Sequence, residues 1–304
     1  MAELGKSGPK PEIDVRFFEP PTDLARCFTS FYLLEVRLPP GEIVTDYLQP
    51  EWSNLRFFES NPPTVQLVGS DEEIHSPFVV TGPSCGSVRF SIGTTRTWGI
   101  GLMPLGWARF VNRPASEFSD HIWDGQTAEA FAAFRPLSKI FSARHLTDDE
   151  KVDAVVAFFR RLAGSPRDEE RIITTHEAMI DPRMCEVRAF AEQAGLTVRT
   201  LERLCMRHFG YPPSMLLRRQ RMMRSLAAFM LAHDKTWTQA IDGTYHDQAH
   251  FVREFQTFMH MSPTDYSSMP HPVLGAFMER RQKVWGSPVQ TLDSPGRRKN
   301  RSPE

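Results

Sequence analysis

Cysteine is scarce in this chain. Four residues among 304, Cys27, Cys85, Cys185 and Cys205, form no CxxC pair and have no histidine at the spacing of a zinc ligand set. That scarcity excludes a disulfide-stapled scaffold and a zinc finger, and the four read as reduced, mostly buried thiols. Histidine is thin where a metal enzyme needs it: the half before Gln126 holds only His75 and His121, without the close-spaced pair of a cupin-type metal site. No cysteine is followed by histidine, which sets aside an alkyl-accepting DNA-repair activity. Nothing approaches the roughly 20 apolar residues that span a bilayer, and the start MAELGKSGPKPEIDV has no apolar signal core. A cytoplasmic, non-catalytic chain without cofactor, metal or membrane contact is the expectation. Net charge is nearly absent as well, with 36 Lys+Arg against 37 Asp+Glu. A nucleic-acid function must therefore rest on where the charges sit.

The length favours two domains rather than one core. Residues 1–12 and 286–304 are rich in Gly, Ser, Pro, Lys and Arg without apolar periodicity, the composition of disordered ends. Between them, residues 13–125 carry short apolar runs such as FTSFYLLEV, TVQLVG, FVVTG and SVRFSIG. Pro39-Pro40-Gly41, Pro62-Pro63 and Gly82-Pro83 punctuate the runs. Runs of five to eight residues bounded by turn formers predict strands of a β-barrel or sandwich. In this domain Trp52, Arg56, Trp98, Met103 and Trp107 are candidate effector-pocket residues, because aromatics with a few polar groups suit small-molecule sites.

The composition changes at Gln126. Residues 126–166 form a helical connector in which Val152, Val155, Val156, Phe159 and Leu162 fall at helical spacing, with Asp148 as candidate N-cap and Gly164 just past the end. The stripe is a candidate homodimer seam.

Residues 167–268 carry the chemistry. A stripe of Val187, Phe190, Ala191 and Ala194 ends at Gly195, and a second helix starts after Thr197, a candidate N-cap. Leu201, Leu204 and Cys205 turn inward, and Arg199, Thr200, Arg203 and Arg207 lie on the other face. From Arg199 to Arg224 seven arginines are opposed only by Glu202. An arginine face on a helix held by a short turn suits a major-groove reader, since Arg bonds guanine edges bidentately and others neutralise phosphate. The pattern recurs about fifty residues later. A turn at Thr244 to His246 leads to an N-cap at Asp247 and a helix with Phe251, Phe255 and Phe258 inward, leaving Gln248, His250 and Arg253 near the outer face. Between the two units, the run from Pro213 predicts a helix of about twenty residues, roughly 30 Å long, against a duplex turn of about 34 Å. Two readers held that far apart can enter successive major grooves.

These residues resemble the AraC/XylS family of transcription regulators. The likeness is carried by Leu201 with Arg203, Gly210 with Pro213, and the run Tyr245, Asp247, Gln248, Ala249, His250, Phe251, Arg253, Phe255, closed by Ser262, Pro263 and Tyr266. It implies an all-α C-terminal domain with two helix-turn-helix units joined by a long helix, and double-stranded DNA as partner, with RNA polymerase as a further one. The stretch around WGIGLMPLGWARFVNRP resembles the cupin-like sensor barrel that precedes such modules in one branch of the family. That implies an α+β chain whose β-barrel binds a small effector and whose adjacent helices form a homodimer. Four residues depart from the pattern: Thr244 and His260 where glycine is usual, Gln239 for an apolar residue, and Pro212 for serine. The departures keep open a second reading, a protein-interaction chain with a degenerate module. The expectation at Thr244 is a positive φ, costing about 1 kcal/mol or more in a β-branched residue.

Overall fold

The computed structural model of the chain describes residues 11–162, 164–231 and 236–296. Two domains follow one another in an α+β arrangement. The first contains strands β1 (Glu12–Phe18), β2 (Phe28–Arg37), β3 (Val44–Leu48), β4 (Ser53–Phe58), β5 (Thr64–Leu67), β6 (Glu73–His75), β7 (Phe78–Thr81), β8 (Val88–Ile92), β9 (Thr95–Leu102) and β10 (Ile122–Asp124), with helix α1 (Pro104–Phe110) before the last of them. The second is helical: α4 (Glu169–Met179), α5 (Val187–Gln193), α6 (Val198–His208), α7 (Pro213–Leu231), α8 (Trp237–Ala240), α9 (Gln248–Met259), α10 (Pro263–Ser268) and α11 (Pro272–Trp285). Helices α2 (Leu137–Phe141) and α3 (Asp148–Leu162) connect the two. Among the described residues no helix is long and apolar enough to cross a membrane.

The expected barrel is not closed. Six strands pair in the order β1-β2-β9-β4-β7-β10 and four in the order β3-β8-β5-β6, all antiparallel, and among the described residues no ladder joins the two sheets. Helix α11 lies along β1 and β3, the seam where one closure would form. Strand alternation then divides the six-stranded sheet into two faces. Phe31, Leu33, Leu55, Phe57, Trp98 and Ile100 face the helices and join the main core. Their neighbours Tyr32, Leu34, Val36 and Val79 face the second sheet and form a smaller core with Val65, Phe90, Val273 and Trp285.

Three expectations are corrected here. The connector stripe is no free dimer seam: Phe159 is fully buried against Phe28, Phe110 and Phe134 of the same chain. Asp148 is not the cap of α3. Thr147 takes that place, exchanging hydrogen bonds with Glu150, while Asp148 pairs with Arg16 and Arg96. The segment after Gly286 is not a loose tail up to residue 296, because Gln290–Leu292 form a 3-10 turn and Val289, Thr291 and Asp293 are buried. Residues 1–10 and 297–304, also expected to be disordered, lie outside the described residues.

The domains share one core. The main apolar cluster runs from Leu24 through Trp52 and Phe159 to Phe209, Leu226 and Tyr266. At the junction Arg219 of α7 is fully buried, stacks 4.0 Å over the Trp52 ring and donates to the Ser84 carbonyl at 3.0 Å. A desolvated stack of this kind contributes about 2 kcal/mol. Tyr211 donates to the Pro83 carbonyl at 3.0 Å and accepts from the Cys85 amide at 3.0 Å.

Candidate nucleic-acid interface and effector cavity

The first candidate reading helix is α6. Gly195 at φ +68 makes the turn before it, a conformation that a side chain resists. Thr197 caps the helix, its Oγ1 accepting from the Thr200 amide at 3.2 Å, a bond that stabilises a helix by about 1 kcal/mol. Leu201, Leu204, Cys205 and His208 are buried. That leaves Arg199, Arg203 and Arg207 exposed and Thr200 half-buried. Val198 and Met206, which sequence reasoning passed over, are among the large apolar residues exposed to solvent. A signal for Met206 was available: at 3.6 residues per turn it falls about 20° from Arg199, on the side away from Arg203.

The second candidate, α9, repeats the first at an offset of fifty. Asp247 caps it, its Oδ1 accepting from the His250 amide at 2.7 Å. Phe251, Phe255 and Phe258 are buried, and Gln248, Arg253 and Gln256 are exposed. Arg253 thus occupies the place that Arg203 holds in α6. His250 does not stand free. Its Nε2 lies 3.4 Å from Arg221 Nη2 and 3.8 Å from Glu254 Oε1, at the edge of a buried cluster. Glu254, 3% exposed, accepts from Arg218 at 2.8 Å, Arg221 at 2.6 Å and the Tyr245 hydroxyl at 2.7 Å. Burial pushes its pKa up, but these three donors override burial and hold the carboxyl below its ordinary range.

The cluster fixes α9 against the spacer α7, whose 19 residues span about 28 Å. It also changes the arginine count. Of the seven between Arg199 and Arg224, four are structural: Arg218 and Arg221 on Glu254, Arg224 on Asp242 at 2.5 Å, and Arg219 at the domain junction. Three remain exposed on α6. Thr244 does not take a positive φ, as none of the described non-glycine residues with positive φ is a threonine. Its amide and hydroxyl both bond Asp242 Oδ1, at 2.9 and 2.5 Å, so the Asp242 side chain closes the turn without a left-handed residue. His260 does take the left-handed conformation, at φ 55, as C-cap of α9.

The N-terminal domain holds a cavity of about 100 Å³ between the two sheets and α11. Arg56 lines it, and Trp52, Trp98 and Trp107 do not. Strand parity explains Trp98: it points to the helix side, stacked on Phe141 at 5.1 Å, while its neighbours Thr97 and Gly99 face the second sheet. Trp52 lies against His176 and Arg219, and Trp107 donates to the Arg113 carbonyl at 2.8 Å. Met103 is buried at the start of α1. On the side of β9 towards the second sheet, glycine leaves room for the Tyr32 ring. A Cβ on Gly99 would stand 1.8 Å from the Tyr32 ring. Arg56 donates to Glu51 at 2.8 Å, to Thr81 Oγ1 at 3.0 Å and to the Tyr32 hydroxyl at 3.1 Å. Burial opposes its charge, and Glu51 more than restores it, raising its pKa above the ordinary value.

A family model covers both capped helices. Residues 190–269 match the family model described as a helix-turn-helix domain. No curated protein sequence matches the chain. Among solved structures, ToxT from Vibrio cholerae is similar at 11% identity and a TM-score of 0.42, over 85% of this chain and 98% of that one. A second ToxT structure, bound to an unsaturated fatty acid, has 10% identity and a TM-score of 0.38, over 84% and 94%. The AraC-like transcriptional activator CuxR has 13% identity and a TM-score of 0.28, over 70% and 86%. Residues 190–269, from the start of the first unit to the close of the second, are therefore a helix-turn-helix domain.

Proposed function

We propose that the chain is a sequence-specific regulator of transcription that binds double-stranded promoter DNA in the cytoplasm and is controlled by a small effector in its N-terminal domain. One observation carries it: two capped helices, α6 and α9, expose Arg203 and Arg253 at equivalent positions and are joined by a helix close to one duplex turn long. The cavity under α11 supports the effector part of the reading. Two reading helices on one chain need no symmetric partner, and the connector stripe is already occupied within the chain. The reading assigns no catalytic step to any residue.

In the proposed division of labour, Arg199, Arg203 and Met206 face bases, with Thr200 and Arg207 at the edges of the contact, and Gln248 and Arg253 serve the second groove. His250 is tied to the Glu254 cluster and positions α9. Arg203→Ala is expected to weaken operator binding by roughly 1–3 kcal/mol while leaving the fold intact. Arg207→Ala is expected to weaken all sequences alike and to lower the salt slope by about 1. Mobility shifts on the native promoter at fixed salt test this. If both Arg199→Ala and Arg203→Ala bound like the parent, α6 would not be the reader.

A further inference from the structure

We propose that the cavity between the two sheets and α11 binds an uncharged amphipathic molecule, a hydroxyl or primary amide on an apolar body, and that the segment 272–293 is the wall that moves to admit it. The inference rests on the regulator reading and adds the chemistry of its effector.

The charge balance decides the head group. The cavity is lined by three charged residues, Glu51, Arg56 and Arg281. Glu51 answers Arg56 at 2.8 Å, and Arg281, itself buried, is paired with the buried Asp293. Two cations therefore meet two anions before any ligand arrives. A carboxylate would add an unmatched negative charge in a place shielded from water, and an ammonium would add a positive one; both are penalised where solvent cannot compensate. Hydrogen bonding, in contrast, is unfinished. Among the described residues, Asn54 Oδ1 lacks a donor and Arg281 Nε lacks an acceptor, and both atoms are buried. Asn54 pairs with Gly101 in the sheet, and Ser30, which accepts from Arg281 Nη1, pairs with the same glycine on its other side. One end of the cavity thus offers one acceptor and one donor, the complement of a hydroxyl or a primary amide. Away from that end the wall is Leu48, Val65, Val88, Phe90 and Ile92, which suits an apolar body.

Size decides the moving wall. An apolar cavity of roughly 150 Å³ takes up benzene, so about 100 Å³ has room for about four heavy atoms. A larger guest must displace something. The sheets are held by continuous ladders, whereas the remaining wall is α11 with residues 288–290. This wall is held by side-chain contacts and not by a ladder. Asp46 accepts from the Val273 and Leu274 amides at 2.9 and 2.8 Å, and Gln290 donates to Glu51 at 2.6 Å. It is also continuous with the DNA-binding domain, because α10 ends at Ser268 and α11 begins at Pro272. Gln220 of the spacer helix α7 donates to the Thr291 carbonyl at 2.7 Å. A guest that lifts the wall therefore pulls on the element that sets the spacing of α6 and α9.

The test uses the full chain and four probes of one length: 1-hexanol, hexanamide, hexanoate and hexylamine. Calorimetric titration is expected to show the alcohol and the amide binding at least tenfold more tightly than either ion. Glu51→Gln, which leaves one arginine unmatched, is expected to shift the preference towards hexanoate by at least tenfold. Hydrogen exchange at the amides of 289–293 is expected to quicken with hexanol present. Tightest binding of hexanoate by the parent, binding of no probe, or unchanged exchange at 289–293 in the hexanol complex would each overturn the proposal, whatever the variant does. Operator binding by the probe-free chain, measured in parallel, keeps the two readings apart: a chain that binds operator and none of the probes loses this inference alone, and one that binds hexanol and no DNA loses the regulator reading.

Discussion

Replacing Glu254 by glutamine removes the charge that fixes α9 to α7 while keeping the side chain's shape. Three donors converge on that carboxylate. Arg221, with a side chain 16% exposed, forms the buried pair, and breaking such a pair costs about 3–5 kcal/mol because one charge is left uncompensated. Arg218 is 40% exposed, so its share is screened and amounts to about 0–1 kcal/mol. The Tyr245 hydroxyl keeps an acceptor in glutamine and loses only the charge-assisted part of its bond. Glutamine's amide group also turns donors towards arginine. The sum is near 3 kcal/mol, since glutamine retains some of the acceptor capacity. At roughly 2–4 °C per kcal/mol for a chain of this size, the melting midpoint falls by about 6–12 °C. Urea denaturation of parent, Glu254→Gln, Arg221→Met and the double variant gives the coupling between the two groups. The cycle should return at least about 1.5 kcal/mol. A Glu254→Gln midpoint within 2 °C of the parent, or a coupling near zero, would refute the clamp.

His260 sits at φ 55 as a non-glycine C-cap, so His260→Gly should gain roughly 0.5–1 kcal/mol in urea denaturation, and a loss would show that its ring carries more than the backbone strain. His271 donates from Nδ1 to buried Asp46 at 3.0 Å; burial lowers its pKa, and the Asp46 and Tyr266 bonds override burial and raise it above 6.5. Its contribution is therefore fully present below pH 6.5 and fades as pH climbs through the raised value. A titration of the His271 ring followed by NMR, with α11 amide exchange rising over the same range, checks this, and His271→Gln should flatten the pH dependence. His176 behaves in the opposite sense. Burial lowers its pKa to about 3, so it is neutral in the folded chain, and stability is lost as pH falls from 6.5 towards 3 by up to about 1.4 kcal/mol per pH unit. An acid denaturation curve of His176→Phe parallel to the parent's would count against that.

Helices α6 and α9 were legible because their signals are local. Thr197 and Asp247 mark the starts, the apolar stripes mark the inner faces, and both survive without knowledge of the rest of the fold. The tryptophans were not legible. In a strand the side of the sheet is set by parity, and parity means nothing until the order of strands says which face meets the helices. Trp98 and Arg56 therefore looked alike in sequence and part company in space. Arg218, Arg219 and Arg221 read as phosphate contacts because composition does not distinguish an exposed arginine from one paired with Glu254 or stacked on Trp52. The segment after Gly286 has the glycine, serine and proline of a loose end. What holds it are single long-range contacts, Gln290 to Glu51 and Asp293 to Arg281, which leave no periodic trace.

The continuous core has a consequence for how this chain can be divided. Arg219, Tyr211 and Phe209 belong to the helical domain by sequence, yet Trp52, Pro83 and Ser84 complete their surroundings. Cutting near residue 167 would strand a desolvated guanidinium without its aromatic platform and lay bare a greasy scar on each half. Heating should thus give a single calorimetric peak for the intact chain. Grafting the DNA-binding half onto an unrelated sensor would demand a rebuilt Trp52 socket, not merely a new linker.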